Sequence, residues 1–526
     1  MNSKQTGNGE SKPISSVATP KRYLLKTLGC KANLYDSQLI EAELQKRGWL
    51  PADESLNGTA EEHTVDLAIV NSCTVTDEAD RQSRKLASRL GRTRLDAKVV
   101  LTGCGAEVEP EKLAKTPGVD FIVGNQSKPA LVELVLDAIR ELPSADLSTP
   151  ETSSQIPRTA VVLGGVQNYG QMLSRHPIDR EWPAPERSFF TPPAGHEGEA
   201  SRTRAFLKIQ EGCNAFCTYC VIPYGRGPNR SLRIPEVVAQ VKTLVAQGVR
   251  EVVVTGTNIG DYGTDWAPNL QHVELFKAIL NETTLERLRV SSLDPTEVTP
   301  ELRELMRTEP RLCPHYHVSL QSPHSRVLRA MKRKYAYEQV EECLTSVSEL
   351  PAPAGGVFVG MDIITGFPTE TLEEFEWGVE ALKRLPWSRL HVFPYSEREG
   401  TPATKLKPVV PKEERTRRAK VLRDLSFERL RQRHEEALTQ LKGSGRTLQG
   451  ILLEGSVKAP DGKVRWIAGY TPNYLRVLLP LQVGPGAPEA QAQVAKLSNQ
   501  KVDGIPGELV LDRESGDIAI LAQWLD

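Results

Sequence analysis

Glu211-Gly212-Cys213-Asn214-Ala215-Phe216-Cys217-Thr218-Tyr219-Cys220 decides how the rest of this 526-residue chain is read. Three of the chain's eight cysteines stand here, spaced C-x3-C-x2-C. Thiolates this close can face one metal centre. Four thiolates close a tetrahedral zinc site or saturate a cubane iron–sulfur cluster, whereas three leave one iron of a four-iron cluster without a protein ligand. An open iron can take a small molecule and do chemistry on it. The competing reading is half of a zinc site whose fourth ligand lies elsewhere. Upstream, 204–210 (RAFLKIQ) reads as a strand, and Val221-Ile222-Pro223 follows the last cysteine. The triplet is therefore predicted on a loop at the carboxyl end of a strand, where α/β proteins keep active sites.

Downstream the βα alternation continues. Strands are predicted at 251–255, 288–291, 315–320, 357–361 and 389–393, with helices at 235–247, 301–307, 326–332, 337–349 and 372–384. Six βα units suggest an open partial barrel rather than a closed eight-stranded one. Polar residues end these strands. Gly256 permits close approach of backbone to a ligand, Asn258 offers an amide, and Asp294 and Asp362 can accept from an amine or a ribose. Each also reads as an ordinary cap or turn residue at a βα junction. Cys313 and Cys343 lack ligand spacing and read as inert or buried thiols, and His315, His317 and His391 read as structural residues within strands.

Upstream, the first 20 residues are polar and rich in Gly, Ser and Thr, with no apolar core for a signal peptide. They read as a disordered tail of a cytoplasmic protein. Three βα units follow. Strands 23–28, 66–70 and 98–102 run into Cys30, Cys73 and Cys104, a further strand is predicted at 121–124, and helices are predicted at 35–47, 77–90 and 129–141. Strands alternating with helices argue for a doubly wound parallel sheet. All carboxyl ends of such a sheet lie on one edge, so neighbouring strands bring these three thiols together as a second metal site. From 142 to 202 the composition turns to Pro, Ser, Thr and Glu, a linker with a possible short strand at 160–163 and an aromatic pair, Phe189-Phe190.

The string KIQEGCNAFCTYCVIPYGRGPNRS resembles the methylthiotransferase branch of the radical S-adenosylmethionine (SAM) superfamily. TLGCKANLYDSQ, NSCTVTDEAD and LTGCGAE resemble the N-terminal domain of the same family, and GYTPNYLRV with VDGIPGELV resembles a TRAM domain, a small barrel that generally binds RNA. The resemblance implies a central partial (β/α)6 radical SAM barrel and two [4Fe–4S] clusters. Cys213, Cys217 and Cys220 hold the first, where SAM chelates the open iron, and Cys30, Cys73 and Cys104 hold an auxiliary one. It implies SAM contacts at Gly256, Asn258, Asp294 and Asp362. It also implies the reaction: the first cluster reduces SAM to methionine and a 5′-deoxyadenosyl radical, the auxiliary cluster carries sulfur to the substrate radical, and a second SAM supplies methyl. Two positions depart from the family pattern: Asp294 where Glu is usual, and Gln321-Ser322-Pro323 where Gln-Ser-Gly is usual.

Residues 412–442 form a long helical pattern of mixed charge, which reads as a solvated face, although Arg415, Arg417, Arg418 and Lys420 could touch phosphate. After Gly443-Ser444-Gly445 the pattern is all-β, with strands predicted at 447–454, 463–470, 475–479, 494–497 and 507–512. Arg446, Lys458, Arg465 and Arg476 are candidate phosphate contacts, and Tyr470 and Tyr474 candidate stacking platforms for bases. The rival is a barrel that only packs on the catalytic domain. The net charge of −1 requires that any polyanion be met by a local basic patch. No apolar run is long enough to span a membrane.

The predicted organisation is a tail 1–20, an N-terminal domain 21–141, a linker 142–202, a radical SAM domain 203–442 and a TRAM domain 443–526. The wording around the core cysteines, with TGTNIGDYG and HVFPYSEREGTPA, most resembles the branch acting on threonylcarbamoyladenosine beside the tRNA anticodon. The implied partners are the tRNA anticodon arm and an electron donor such as flavodoxin or ferredoxin. The alternatives are the branches acting on isopentenyladenosine tRNA or on a ribosomal-protein aspartate, and, from another class, a non-catalytic iron–sulfur RNA-binding protein.

Overall fold

The computed structural model describes residues 21–52, 64–93, 97–141, 160–163, 203–266, 270–459, 462–484, 488–512 and 515–525. The predicted tail and the Phe189-Phe190 pair lie outside the described residues. Apolar runs build the first sheet from β1 (Arg22–Thr27), β2 (Leu50–Pro51), β3 (Leu67–Ser72), β4 (Lys98–Gly103), β5 (Phe121–Gly124) and β6 (Val161–Leu163). All pair in parallel, in the order β2-β1-β3-β4-β5-β6. Both faces are covered, as continuous apolar strands require. Ala68, Val70, Val99 and Leu101 share a core with Ala87 and Leu90 of helix Asp77–Thr93. Leu67, Ile69 and Val100 share another with helices Lys31–Lys46 and Leu131–Glu141. The last strand, β6, comes from the stretch read as linker.

In the central region, β7 (Arg204–Lys208) leads into a short antiparallel ribbon of β8 (Gln210–Glu211) and β9 (Arg230–Ser231) that holds the cysteine loop between its arms. With β10 (Glu251–Thr255) and β11 (Arg287–Val290), β7 forms a parallel sheet ordered β11-β10-β7. A second parallel sheet follows, ordered β12-β13-β14-β15, from Ser292–Leu293, His315–Gln321, Phe358–Thr365 and Arg389–Pro394. Ser291 separates β11 from β12, so the wall divides there into two sheets over one continuous apolar core. Pro323, a departure from the family pattern, has a counterpart: a Cβ added at Gly378 would lie 2.7 Å from its ring.

Helix Lys412–Ser444 packs along β15 and ends at Gly445, which adopts the left-handed conformation at φ 64°. Beyond it, β16 (Leu448–Lys458), β17 (Val464–Tyr470), β18 (Arg476–Pro480), β19 (Lys501–Asp512) and β20 (Asp517–Trp524) close into a barrel ordered β16-β17-β18-β20-β19. The strand predicted at 494–497 is instead the end of helix Pro488–Leu497. Pro at the first helical position followed by Glu, Ala and Gln favours helix, and that outweighs the isolated Val494. The closing strand β20 was not anticipated. Among the described residues no helix is long and apolar enough to cross a membrane.

Candidate functional site

Three neighbouring strands deliver the N-terminal cysteines to one edge. Cys30 caps helix Lys31–Lys46 just past β1, Cys73 follows β3 directly, and Cys104 opens a short helix after β4. Glycine precedes two of them. Gly29 and Gly103 stand at φ 98° and 102°, and a Cβ at Gly29 would lie 2.7 Å from Cys73 Sγ. The bare Cα is what lets the Cys30 loop press against Cys73. Cys73 and Cys104 are buried and Cys30 is exposed. Burial pushes the Cys73 thiol up to about 12, and thiolate charge on Cys104 and Cys30 would push it further. Burial also raises Cys104, opposed by the Arg226 guanidinium.

The helix that follows the second triplet lies against the first. A Cβ at Gly225, in the helix Ile222–Arg226 that follows Cys220, would lie 3.7 Å from Cys104 Cβ. The loop itself is tied down by its backbone. Cys213 N donates to Gly227 O at 2.9 Å, Cys220 N to Cys217 O at 3.0 Å, and Thr218 N to Met331 O at 3.1 Å. Tyr219 packs edge-on against Phe367. Burial pushes Cys213 up to about 12 and Cys220 higher still, with the neighbouring sulfurs adding to both. Among the described residues, no group of three His, Cys, Asp or Glu side chains already stands in a metal-holding arrangement. The donor set nevertheless fits an iron cluster: two groups of mutually repelling, largely buried thiols are what a coordinating metal converts to thiolates.

Gln210 joins this loop to the end of β10. Its Oε1 accepts from Thr257 N and Asn258 N at 2.9 and 2.8 Å, while its Nε2 donates to Gly212 O and Asn229 Oδ1, both at 2.6 Å. Gly256 makes room for it, since a Cβ there would meet Gln210 Oε1 at 2.8 Å. Asn258 Nδ2 donates to Asp261 Oδ2 at 2.9 Å. Asp294 forms an ion pair with Arg333, and Arg333 Nη1 also donates to Cys217 Sγ at 3.0 Å. Beside it, burial and the Asp294 charge push Glu297 up to about 8. Asp362 stands elsewhere, with its Oδ1 3.0 Å from His317 Nε2. Gln210 and Arg333 escaped the sequence reading. Gln210 sits in the KIQEGC string, but Arg333 lies in a basic run, MKRKY, that looks like solvated surface.

A buried charge network also escaped it. Asp36 accepts from Lys208 Nζ at 2.5 Å, Lys128 Nζ at 2.8 Å and Arg226 Nη2 at 3.1 Å. Glu211 meets Lys208 at 2.7 Å and Arg226 at 2.6 Å, and Arg226 also donates to Asn33 Oδ1 at 2.7 Å. Burial alone would raise Asp36, but these three cations hold its carboxyl far below the usual carboxylate range. Glu211 precedes Cys213 by two residues and Asn33 follows Cys30 by three, so the network fastens one cysteine loop to the other.

The candidate RNA residues divide. Arg446, Lys458 and Arg465 are exposed. Arg476 turns inward, pairing with Asp512 and donating to Tyr470 Oη at 2.7 Å. Tyr470 and Tyr474 stack on each other at 4.7 Å, with the Arg204 guanidinium 5.2 Å from the Tyr470 ring. They line a cavity of about 350 Å³ together with Lys31, Arg289, His315 and residues of β14 and β15.

The Radical SAM superfamily matches residues 207–382, and the Uncharacterized protein family UPF0004 matches residues 22–124. The chain is 35% identical to the threonylcarbamoyladenosine tRNA methylthiotransferase MtaB of Aquifex aeolicus over 82% of this chain and 92% of the relative. It is 33% identical to the protein of that name from Bacillus subtilis over 86% and 89%. It is 30% identical to the tRNA-2-methylthio-N(6)-dimethylallyladenosine synthase of Carboxydothermus hydrogenoformans over 84% and 90%.

Proposed function

The chain belongs to the tRNA methylthiotransferase family of radical SAM enzymes, and from that premise we propose that it methylthiolates C2 of the threonylcarbamoyl-modified adenosine beside the tRNA anticodon. The observation that carries this reading is the packing of the helix after the second cysteine triplet against Cys104 of the first. It is supported by the relatives of that name from Aquifex aeolicus and Bacillus subtilis at 35 and 33% identity, while the one from Thermotoga maritima stands at 30%, level with the dimethylallyladenosine synthase.

[4Fe–4S] and SAM are the cofactors of the radical SAM family. Cys213, Cys217 and Cys220 would hold one cluster and Cys30, Cys73 and Cys104 a second, with two SAM used per product. Bound there, they supply one-electron cleavage of SAM for hydrogen abstraction, a sulfur source and a methyl donor. The chain's own residues do the rest. The Asp36 network holds the two cysteine loops at a set separation. Gln210 ties the core loop to β10, placing Gly256 and Asn258 beside it. Arg333 donates to Cys217 and neutralises Asp294, which balances charge next to a thiolate. We read the central strands as an open (β/α)6 barrel and the C-terminal barrel as a TRAM domain, with Arg446, Lys458 and Arg465 meeting the phosphates of the anticodon arm.

The deciding experiment offers the anaerobically loaded enzyme threonylcarbamoyl tRNA, isopentenyl tRNA and unmodified tRNA in parallel, with nucleoside mass spectrometry as the readout. Methylthio product on the first alone is expected. Turnover of the isopentenyl tRNA with none on the first would refute the substrate and leave the reaction class standing.

A further inference from the structure

The two edge strands of the central region, β7 and β15, both border the 350 Å³ cavity, through Arg204 on one and Arg389 and His391 on the other. Arg289, His315 and Phe358 of the inner strands add to these walls, and the neighbouring domains supply Lys31 from the N-terminal domain and Tyr470, Tyr474 and Asp517 from the C-terminal barrel. This is the place where all three domains meet, and it begins one residue from Cys30.

The cavity is rich in cations, and most are already answered. Arg204 pairs with Glu454 at 2.5 Å and donates to Tyr474 Oη at 3.1 Å. Arg289 pairs with Glu251 at 2.7 Å, Arg389 with Asp517 at 3.0 Å, and Arg476 with Asp512. Lys31 differs: it is exposed and, among the described residues, has no hydrogen-bond or ion-pair partner, although it feels the Arg204 and Arg289 guanidiniums and, opposing them, Asp362 and Cys30. Two further groups on the wall lack partners. His434, 2% exposed, places Nδ1 2.8 Å from Leu430 O and leaves Nε2 unpaired, and His315, 6% exposed, leaves Nδ1 unpaired. Aromatic faces complete the lining, with Phe358 stacked on His315 at 5.5 Å and the Tyr470–Tyr474 pair opposite the guanidiniums.

An exposed ammonium without a hydrogen-bond or ion-pair partner at the edge of the cavity, beside buried unpaired ring nitrogens and aromatic faces, suits a ligand that joins a carboxylate and hydrogen-bonding groups to a flat ring. We infer that this cavity receives the carboxylate-bearing arm on the substrate adenine, and that Lys31 pairs with that carboxylate and so sets the choice between modified adenosines. The inference rests on the substrate reading above and names the residue that enforces it. A purely apolar arm gains nothing from Lys31, so the same residue favours the carboxylate-bearing substrate over the isopentenyl one.

The test measures binding of anticodon stem-loops, carrying either the threonylcarbamoyl or the isopentenyl arm, to the cluster-loaded enzyme by fluorescence anisotropy. A third stem-loop carries the threonylcarbamoyl arm with its carboxylate blocked as the methyl ester. Lys31→Met is expected to weaken the first stem-loop roughly 10- to 100-fold, the range of a charged hydrogen bond, and to leave the other two within about twofold. Lys31→Arg should retain most of the affinity. Wild-type enzyme should lose a similar factor on the ester, and Lys31→Met should no longer distinguish acid from ester. Iron content controls for disturbance of Cys30. If Lys31→Met binds the free acid as well as wild type does, or weakens all three stem-loops equally, the inference fails while turnover of threonylcarbamoyl tRNA still upholds the substrate. A wild-type enzyme that prefers the isopentenyl stem-loop would overturn the substrate reading itself, and this inference with it.

Discussion

Replacing Asp36 with Asn keeps the shape of the side chain and removes the charge that three buried cations share. Lys208, Lys128 and Arg226 approach its carboxylate at 2.5, 2.8 and 3.1 Å, and all four side chains are buried. The variant leaves Lys208 and Arg226 facing Glu211 alone and Lys128, among the described residues, without an acidic partner. Removing one partner of a buried ion pair costs about 3–5 kcal/mol, because the remaining charge is desolvated without compensation. At roughly 2–4 °C per kcal/mol for a domain of this size, the apparent Tm at pH 7 should fall by about 6–20 °C. The penalty depends on pH with a determined sign. The folded-state pKa of Asp36 lies far below its unfolded value, so its stabilisation is complete above about pH 4 and is lost as the pH falls further. The gap between wild type and variant should therefore be widest near neutrality and narrow below about pH 4. Anaerobic thermal melts followed by circular dichroism, from pH 7 down to the acid limit, measure both effects. Because Arg226 also donates to Asn33, iron loading should drop at both cysteine sets. A Tm within about 2 °C of wild type at pH 7, with full iron, would refute the claim that this network fastens the two loops. The exposed pair Glu43–Arg47 is the control, where Glu43→Gln should cost well under about 1 kcal/mol.

Anaerobic reconstitution should load about eight irons per chain, and changing Cys213, Cys217 and Cys220 together to Ala should leave about four; a wild type that saturates near four would eliminate the N-terminal cluster. Cys73→Ala should still cleave SAM, followed as 5′-deoxyadenosine, while yielding no methylthio product, and normal product would show that sulfur does not come through that triplet. Changing Arg446, Lys458 and Arg465 together to Gln should weaken tRNA binding and lower its salt dependence by a slope on the order of 0.7–1 per lost phosphate contact, with SAM cleavage unchanged. An unchanged salt slope would move the RNA interface elsewhere. These surface changes are a cleaner probe than truncation after Gly443, since Arg204 and Arg289 lean on Tyr474 of the C-terminal barrel.

What the chain determined by itself was local. The C-x3-C-x2-C spacing, the three strand-end cysteines and the alternation of apolar runs with helical periods are all readable within short windows. Parallel topology then carries strand ends to one edge, so the two thiol sets followed from pattern alone. The pattern misled where a local preference was judged by too few residues, as at 494–497, which is helical. What depends on meeting a distant partner was decided only by the tertiary structure. Asp36 and Arg226 stand 190 positions apart, and each alone reads as a solvated charge. Arg333 sits in a basic run, yet its guanidinium reaches Cys217 from 116 positions away. Arg476 looks like a phosphate contact until Asp512 and Tyr470 draw it inward. A charge costs little in water and much when buried, so its role is set by what encloses it, and enclosure is a property of the assembled fold.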